Sequence, residues 1–187
     1  MSTHSGSVLF PTSLGSCAIA WSPVGVTAVA LPGVDDAATV SHVDRLHGHD
    51  AMRERPAVVP SAITVAVERI VALLTGVADD LRSVTLDLRG IGVFERRVYD
   101  QARLIGPGDT CTYGALASAI GQPGAARAVG GALGRNPFPI IVPCHRVVAA
   151  GGGVGGFSGA GGVATKLKML AIEDANVPIL RAPRLFS

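Results

Sequence analysis

The sequence predicts a two-part α/β (α+β) protein: a small N-terminal antiparallel sheet with a helix over residues 1–80, then a mainly helical unit over residues 84–187. Three observations predict it. Short runs of small and β-branched residues crowd the first third, one long amphipathic pattern follows, and the second half breaks into short helical patterns punctuated by glycine and proline. The chain has 187 residues, 48% of them hydrophobic and 16% charged, which suits one large domain or two small ones and excludes a disordered chain.

The strands come first. "SVLFPT", "SCAIAWS" and "GVTAVALPG" are short, apolar and separated by Gly, Pro and Ser turns. "DDAATVSHVDRLHG" reads as a helix. "SAITVAVERIVALLTG" is a helix with Ile63, Val67, Ile70, Val71 and Leu74 on one face and Gly76 placed to stop it. "SVTLDLRG" is a strand or extended linker, and the boundary between the two units falls near residues 78–90.

In the second half, "VFERRVYDQARLIG" puts Phe94, Val98, Ala102 and Ile105 on one helical face. "TYGALASAIG" is a helix that Thr112 can cap. "GQPG" breaks it, with Pro123 suited to the first turn of the next helix, "AARAVGGALG". Two short helices across a three- or four-residue turn containing glycine make a helix-turn-helix signature. The second helix is built almost wholly of Ala and Gly, and its adjacent Gly130 and Gly131 cost about 1–2 kcal/mol against alanine. Such a helix is made either for close packing on another helix or for a narrow groove. Arg127 is the long side chain of its N-terminal half.

Charge is uneven. Residues 1–79 carry a net −3 and residues 80–187 a net +5, so the second unit is the one placed to meet a polyanion. No run of about 18 apolar residues crosses a membrane, and no basic cluster with an apolar core marks a signal peptide. Three cysteines without regular spacing argue against a disulfide framework and for a reducing compartment, the cytoplasm. No Cys/His cluster has metal spacing, so no metal is expected.

The chemistry concentrates in "GRNPFPIIVPCHRVVAAGGGVGGFSG". Cys144 and His145 are adjacent. A free thiol titrates near about 8.5 and needs a base or positive surroundings to become a nucleophile at neutral pH. His145 can be that base, directly or through a water, if an acceptor orients its other nitrogen. Glu173 and Asp174, at the end of "KLKMLAIEDA", are the carboxylates at hand. Glu173 lies nearer the expected buried face of Leu167, Leu170 and Ala171. Pro143 and the preceding "PFPIIV" make a rigid entry to the cysteine, Asn136 can hold a turn, and the glycine-rich loop can bring backbone against a flat ligand.

These residues carry a family resemblance. "AARAVGGALGRNPFPIIVPCHRVV", with "GVGGFSG" downstream and a helix ending in "IE", resembles the O6-alkylguanine-DNA alkyltransferases, densely over residues 84–175 and thinly before residue 80. The resemblance implies a DNA repair protein, a methylated-DNA–protein-cysteine S-methyltransferase. It would transfer the alkyl group of O6-alkylguanine, and of O4-alkylthymine, in double-stranded DNA to its own cysteine, once and irreversibly, after flipping the base out from the minor groove. Cys144 resembles the acceptor thiol, His145 its base acting through a water, and Glu173 the carboxylate that orients the histidine. Asn136 resembles the residue that ties the turn between recognition helix and site. Tyr113 resembles the tyrosine that assists protonation of the leaving guanine and presses on the DNA backbone. Arg127 resembles the arginine that fills the gap in the stack, on a helix whose Ala126, Gly130 and Gly131 face DNA. Ser158 resembles the loop serine whose backbone faces the guanine oxygen, and the carbonyls of Cys144 and Val147 resemble acceptors for the guanine amino group. Val148, Phe157 and Pro139 complete the implied substrate slot. No cofactor is needed, because the alkylated base is the donor, and the implied state is a monomer in solution that can cluster on DNA.

The chain departs from the family pattern at Tyr99, where a tryptophan is common, and over "SGAGGVATK", which is longer and richer in glycine. A lesion-binding relative that does not transfer the group would lack the cysteine. A cysteine hydrolase using Cys144 and His145 would release product repeatedly.

Overall fold

The computed structural model describes residues 5–47 and 58–175. Three strands, β1 (Gly6–Thr12), β2 (Gly15–Trp21) and β3 (Val26–Ala30), form an antiparallel sheet in that order. Thr12 pairs with Gly15, so the first hairpin turns on Ser13 and Leu14, and the Thr12 hydroxyl donates to the Gly15 carbonyl at 2.7 Å. The two sheet faces differ in size. Ala18, Ala20, Ala28 and Ala30 make a flat face that helix α1 (Asp36–His47) covers through Val43. Cys17, Ile19, Trp21 and Val29 belong to the main core, which runs without a break to Met169 in the last helix. Alternation along the strands puts small residues under α1 and large ones inward. The expected helix over "DDAATVSHVDRLHG" is thus present, its last residue, Gly48, lying outside the described residues.

Helix α2 (Ser61–Leu73) buries Ile63, Ala66, Ile70 and Leu73. Val67 and Val71, expected on the core face, are only partly buried, because the helix is rolled so that the small Ala66 points inward. Gly76 ends it at φ +96°, with its N–H on the Leu73 carbonyl. The "SVTLDLRG" segment is extended and meets β3 at one bridge, Val26 with Leu86. β3 is then stitched a second time: Val29 N–H donates to the Pro137 carbonyl at 2.8 Å, in the stretch that leads to Cys144.

Helix α3 (Val93–Ala102) buries Val98, Tyr99 and Ala102. Phe94 and Ile105 are half-buried, and Tyr99 takes the central place instead, its hydroxyl donating to the Ala132 carbonyl at 3.0 Å and its ring meeting Phe138 edge-on. A two-residue strand β4 (Cys111–Thr112) pairs in parallel with β5 (Val147–Val148), a contact the sequence did not predict. Thr112 caps α4 (Tyr113–Ala119) by accepting from Ala115 N–H at 3.1 Å, as expected. The link to α5 (Ala126–Gly134) spans residues 120–125, longer than predicted, and Pro123 sits in it rather than in the first turn of α5. Gly121 and Gly124, at φ +72° and +92°, bracket the proline in left-handed backbone and delay the helix. The last helix, α6 (Gly162–Ile172), buries Lys166, Met169 and Leu170; Leu167 is half-buried and Ala171 is exposed, contrary to expectation. Among the described residues no helix is long and apolar enough to cross a membrane.

Candidate active site

Cys144 begins a single 3-10 turn, Cys144–Arg146, set up by Pro143. Pro143 has φ −80° and ψ 65°, the inverse γ-turn, and Cys144 N–H returns to the Val142 carbonyl at 2.8 Å. Asn136 locks this entry from behind. Its side-chain amide donates to the Val142 carbonyl at 2.9 Å while its Oδ1 accepts from Phe138 N–H at 2.9 Å. Pro143 and the double-ended Asn136 therefore fix the backbone that carries the thiol.

Behind the thiol, His145 is fully buried and its Nε2 lies 3.0 Å from Glu173 Oε1. The same carboxylate is gripped by Arg146, whose Nε reaches Oε2 at 2.9 Å and whose Nη2 reaches Oε1 at 2.8 Å. The third guanidinium nitrogen, Nη1, donates to the Ile105 carbonyl at 2.7 Å. Burial pushes the Glu173 carboxyl up, but the hydrogen bonds from His145 and Arg146 outweigh it and hold the group at about 2. A carboxylate accepts only, so the proton between them sits on His145 Nε2. Burial, against the pull of Glu173, keeps the imidazole pKa below its ordinary value, so the ring is neutral and Nδ1 carries a lone pair. Nδ1 is buried and has no hydrogen-bond partner among the described residues. A neutral histidine with a free, oriented Nδ1 can accept a proton.

The thiol itself is pushed up by burial, opposed by the Asn136 side chain, the Lys166 ammonium and the backbone N–H groups of Cys144 and His145. Lys166 is a buried lysine. It donates to the Val147 carbonyl at 2.7 Å and to the Gly156 carbonyl at 3.3 Å, and stands 5.7 Å from the Tyr113 ring centroid. Burial lowers it to about 8, and the charge of Cys144 works the other way. Tyr113 is raised by burial and by Cys144.

Above the thiol is a cavity of about 610 Å³. It brings together Cys144, Tyr113 from the start of α4, Ala126, Arg127 and Gly130 from α5, and Phe157 and Ser158 from the glycine-rich loop. Gly155 presses on the tyrosine: a Cβ there would meet Tyr113 Cε2 at 3.0 Å, so only glycine allows the approach. Ser158 Oγ donates to the Gly134 carbonyl at 2.7 Å and ties the loop to the end of α5. Pro139 lines a second, smaller cavity that also reaches Cys144. Val147 and Val148 are buried beneath the site, and Gly131 lines neither cavity. The helix α5 glycines are not explained by packing within the chain. An added Cβ would meet its nearest neighbours at 3.8 Å from Gly130 and 3.5 Å from Gly131, which is ordinary contact.

Sequence reasoning missed Arg146 and Lys166. Their signals were present: Arg146 follows the candidate base directly, and Lys166 and Lys168 are two apart, so one helix cannot turn both to solvent.

Residues 93–175 match the family model of the 6-O-methylguanine DNA methyltransferase DNA binding domain. The methylated-DNA–protein-cysteine methyltransferase of Mycolicibacterium paratuberculosis is 44% identical over 119 residues, 64% of this chain and 70% of that protein. The bifunctional transcriptional activator/DNA repair enzyme Ada of Escherichia coli is 36% identical over 163 residues, 87% of this chain and 44% of Ada. Among solved structures, Mycobacterium tuberculosis OGT in complex with DNA superposes with a TM-score of 0.70 at 32% identity, covering 94% of this chain and 95% of the other.

Proposed function

Because the chain belongs to the methylated-DNA–protein-cysteine methyltransferase family, a family of DNA repair alkyltransferases, we propose that Cys144 is its acceptor for the alkyl group of O6-alkylguanine, and of O4-alkylthymine, in double-stranded DNA. One observation carries this reading: the buried Glu173–His145 pair leaves Nδ1 of a neutral imidazole unpartnered next to a thiol at the floor of a cavity lined by α4 and α5.

The steps follow from these groups. The target oxygen lies inside a duplex, so the base must rotate out, at a cost of a few kcal/mol that is least for a poorly paired, damaged base. Helix α5, thin at Ala126, Gly130 and Gly131, lies along the minor groove, and Arg127 at the cavity mouth stands in for the extruded base. The flat base slides against Phe157 and the glycine-rich loop. Its amino group donates to the carbonyls of Cys144 and Val147; the second lone pair of the Val147 carbonyl remains for this beside the Lys166 ammonium. The Cys144 proton passes to His145 Nδ1 through a water. Thiolate sulfur attacks the alkyl carbon, the C–S bond forms, the C–O bond breaks, and guanine leaves with the electron pair. Tyr113 donates the proton guanine requires, with the Ser158 backbone facing the oxygen, and the site proton restores the tyrosine. The balance is thiol plus alkylguanine giving thioether plus guanine, with no cofactor. A thioether has no route back, so each molecule acts once.

The division into residues 1–80 and 84–187, a monomeric state and a place in the cytoplasm belong to the same reading. Intact-mass analysis after mixing with duplex DNA carrying O6-methylguanine tests it. One added methyl on the peptide containing Cys144 is expected; a methyl on Cys17 or Cys111, or repeated turnover without modification, would falsify it.

A further inference from the structure

The second unit spends most of its arginines on itself. Arg82, Arg96 and Arg103 each bond to two or three backbone carbonyls, and Arg89 grips Asp87 with two nitrogens. Arg135 is held differently. Just past the end of α5, it makes one hydrogen bond, from Nη2 to Glu95 Oε1 of α3 at 2.8 Å, and its side chain stays 66% exposed. Its other terminal nitrogen lies back along α5, where a Cβ on Gly131 would meet Nη1 at 3.5 Å. Arg127, Gly131 and Arg135 are spaced i, i+4, i+8. The two arginines therefore bracket the glycine on one stripe, about 12 Å apart along the helix axis.

We propose that Arg135 is a second phosphate contact of α5, and that Glu95 governs it by holding the guanidinium until a duplex displaces the carboxylate. The proposal rests on α5 lying along the groove of double-stranded DNA. A duplex carries about one negative charge per 1.7 Å of its axis, so a helix in its minor groove has phosphates beside both of its ends. Arg135 needs only to swing away from Glu95 to reach one. The pair is exposed and joined by one hydrogen bond, so its attraction is weak and screened by salt, unlike that of the buried Arg146–Glu173 pair. The exchange leaves the fold intact, because α3 keeps a second hold on α5 four residues along, where Tyr99 donates to the Ala132 carbonyl. A carboxylate at this place opposes any phosphate that approaches Arg135. Glu95 therefore lowers affinity for duplex of any sequence and shortens the stay on undamaged DNA.

The test is equilibrium binding to an undamaged duplex over a range of salt, for the parent, Glu95→Gln, Arg135→Gln, Arg135→Lys and the double glutamine variant. Glutamine at 95 can keep the reach over the N-cap Gly92 that the carboxylate makes. Glu95→Gln should bind ~2–5-fold tighter, the scale of one exposed ion pair. Arg135→Gln should bind more weakly and lower the slope of log affinity against log salt by about 1, while Arg135→Lys keeps that slope. In the Arg135→Gln background the Glu95 change should add nothing. An independent gain there, or an unchanged slope in Arg135→Gln, overturns the proposal. Transfer from free O6-benzylguanine should run at the parent rate in Glu95→Gln; a slower rate would show that the pair shapes the reaction site, and would overturn the proposal as well. A parent protein that binds no duplex overturns the DNA reading itself, so the two failures are distinguishable.

Discussion

Glu173 holds Arg146 by two hydrogen bonds, 2.8 and 2.9 Å, on the same carboxylate that lies 3.0 Å from the His145 ring. The orienting carboxylate is thus itself oriented. An ion pair so buried contributes little net stability as a whole, but losing one partner strands the other.

Cys144→Ser should abolish transfer while leaving DNA binding intact. The hydroxyl is far less acidic than the thiol, and α4 and α5, the helices proposed to meet the duplex, do not depend on it. Mobility shift on an O6-methylguanine duplex and mass analysis of the product check both halves.

His145 and Glu173 should act as one unit. Removing either slows transfer, and removing both costs little more than the worse single change, because groups in one relay are non-additive. Single-turnover rates for the two single variants and the double decide it; multiplicative losses would reduce Glu173 to a charge at a helix end.

Acid should unfold the wild type in two stages. His145 has a lowered pKa in the folded protein, so its neutral burial contributes fully above the ordinary value of 6.5 and is lost progressively below it. Glu173, held at about 2 against an ordinary 4.5, contributes fully above 4.5 and loses that contribution between there and about 2. In both cases the unfolded chain binds more protons, so stability rises with pH. Arg146→Met should cost about 3–5 kcal/mol near neutral pH, the scale for stranding a buried charge. It should also raise the Glu173 pKa and shift the lower acid stage upward. Urea denaturation from pH 3 to 8 measures both.

Arg127→Ala should lose more transfer rate on duplex than on free O6-benzylguanine, by about 1–3 kcal/mol, near the scale of unstacking one base. Arg127 is exposed and lines the cavity mouth. Equal losses on duplex, single strand and free base would show that it shapes the site rather than replacing the extruded base.

Gly131→Ala should raise thermal stability, since the added Cβ is accommodated at 3.5 Å and alanine is the better helix former by about 1 kcal/mol. It should weaken binding to double-stranded DNA in the same sample. A variant that is more stable and binds normally would remove the groove explanation for this glycine.

Much of this was legible because local chemistry and tertiary structure agree. Strands, caps and the thiol segment follow from alternation, Thr112 and the Asn136–Pro143 sequence. The misreadings share one cause: periodicity assigns a face by hydrophobicity, whereas packing assigns it by shape. Ala66 displaces Val67 and Val71 because a small residue fits under the sheet, and Lys166 is buried because backbone carbonyls satisfy its ammonium. Arg146 was hidden for a related reason, since burial of a charge depends on a partner 27 residues away. The N-terminal unit, where the resemblance was thin in the sequence, matches solved structures through its fold.

The sheet has two unlike margins. On β3, Val26 and Val29 spend their N–H groups on Thr85 and Pro137, so that side is sealed by the chain itself. On β1, no further strand pairs with the outer margin among the described residues, and Pro11 removes one donor from it. A foreign strand therefore meets a covered margin on β3 and an interrupted one on β1, which disfavours growth of the sheet from one molecule into the next.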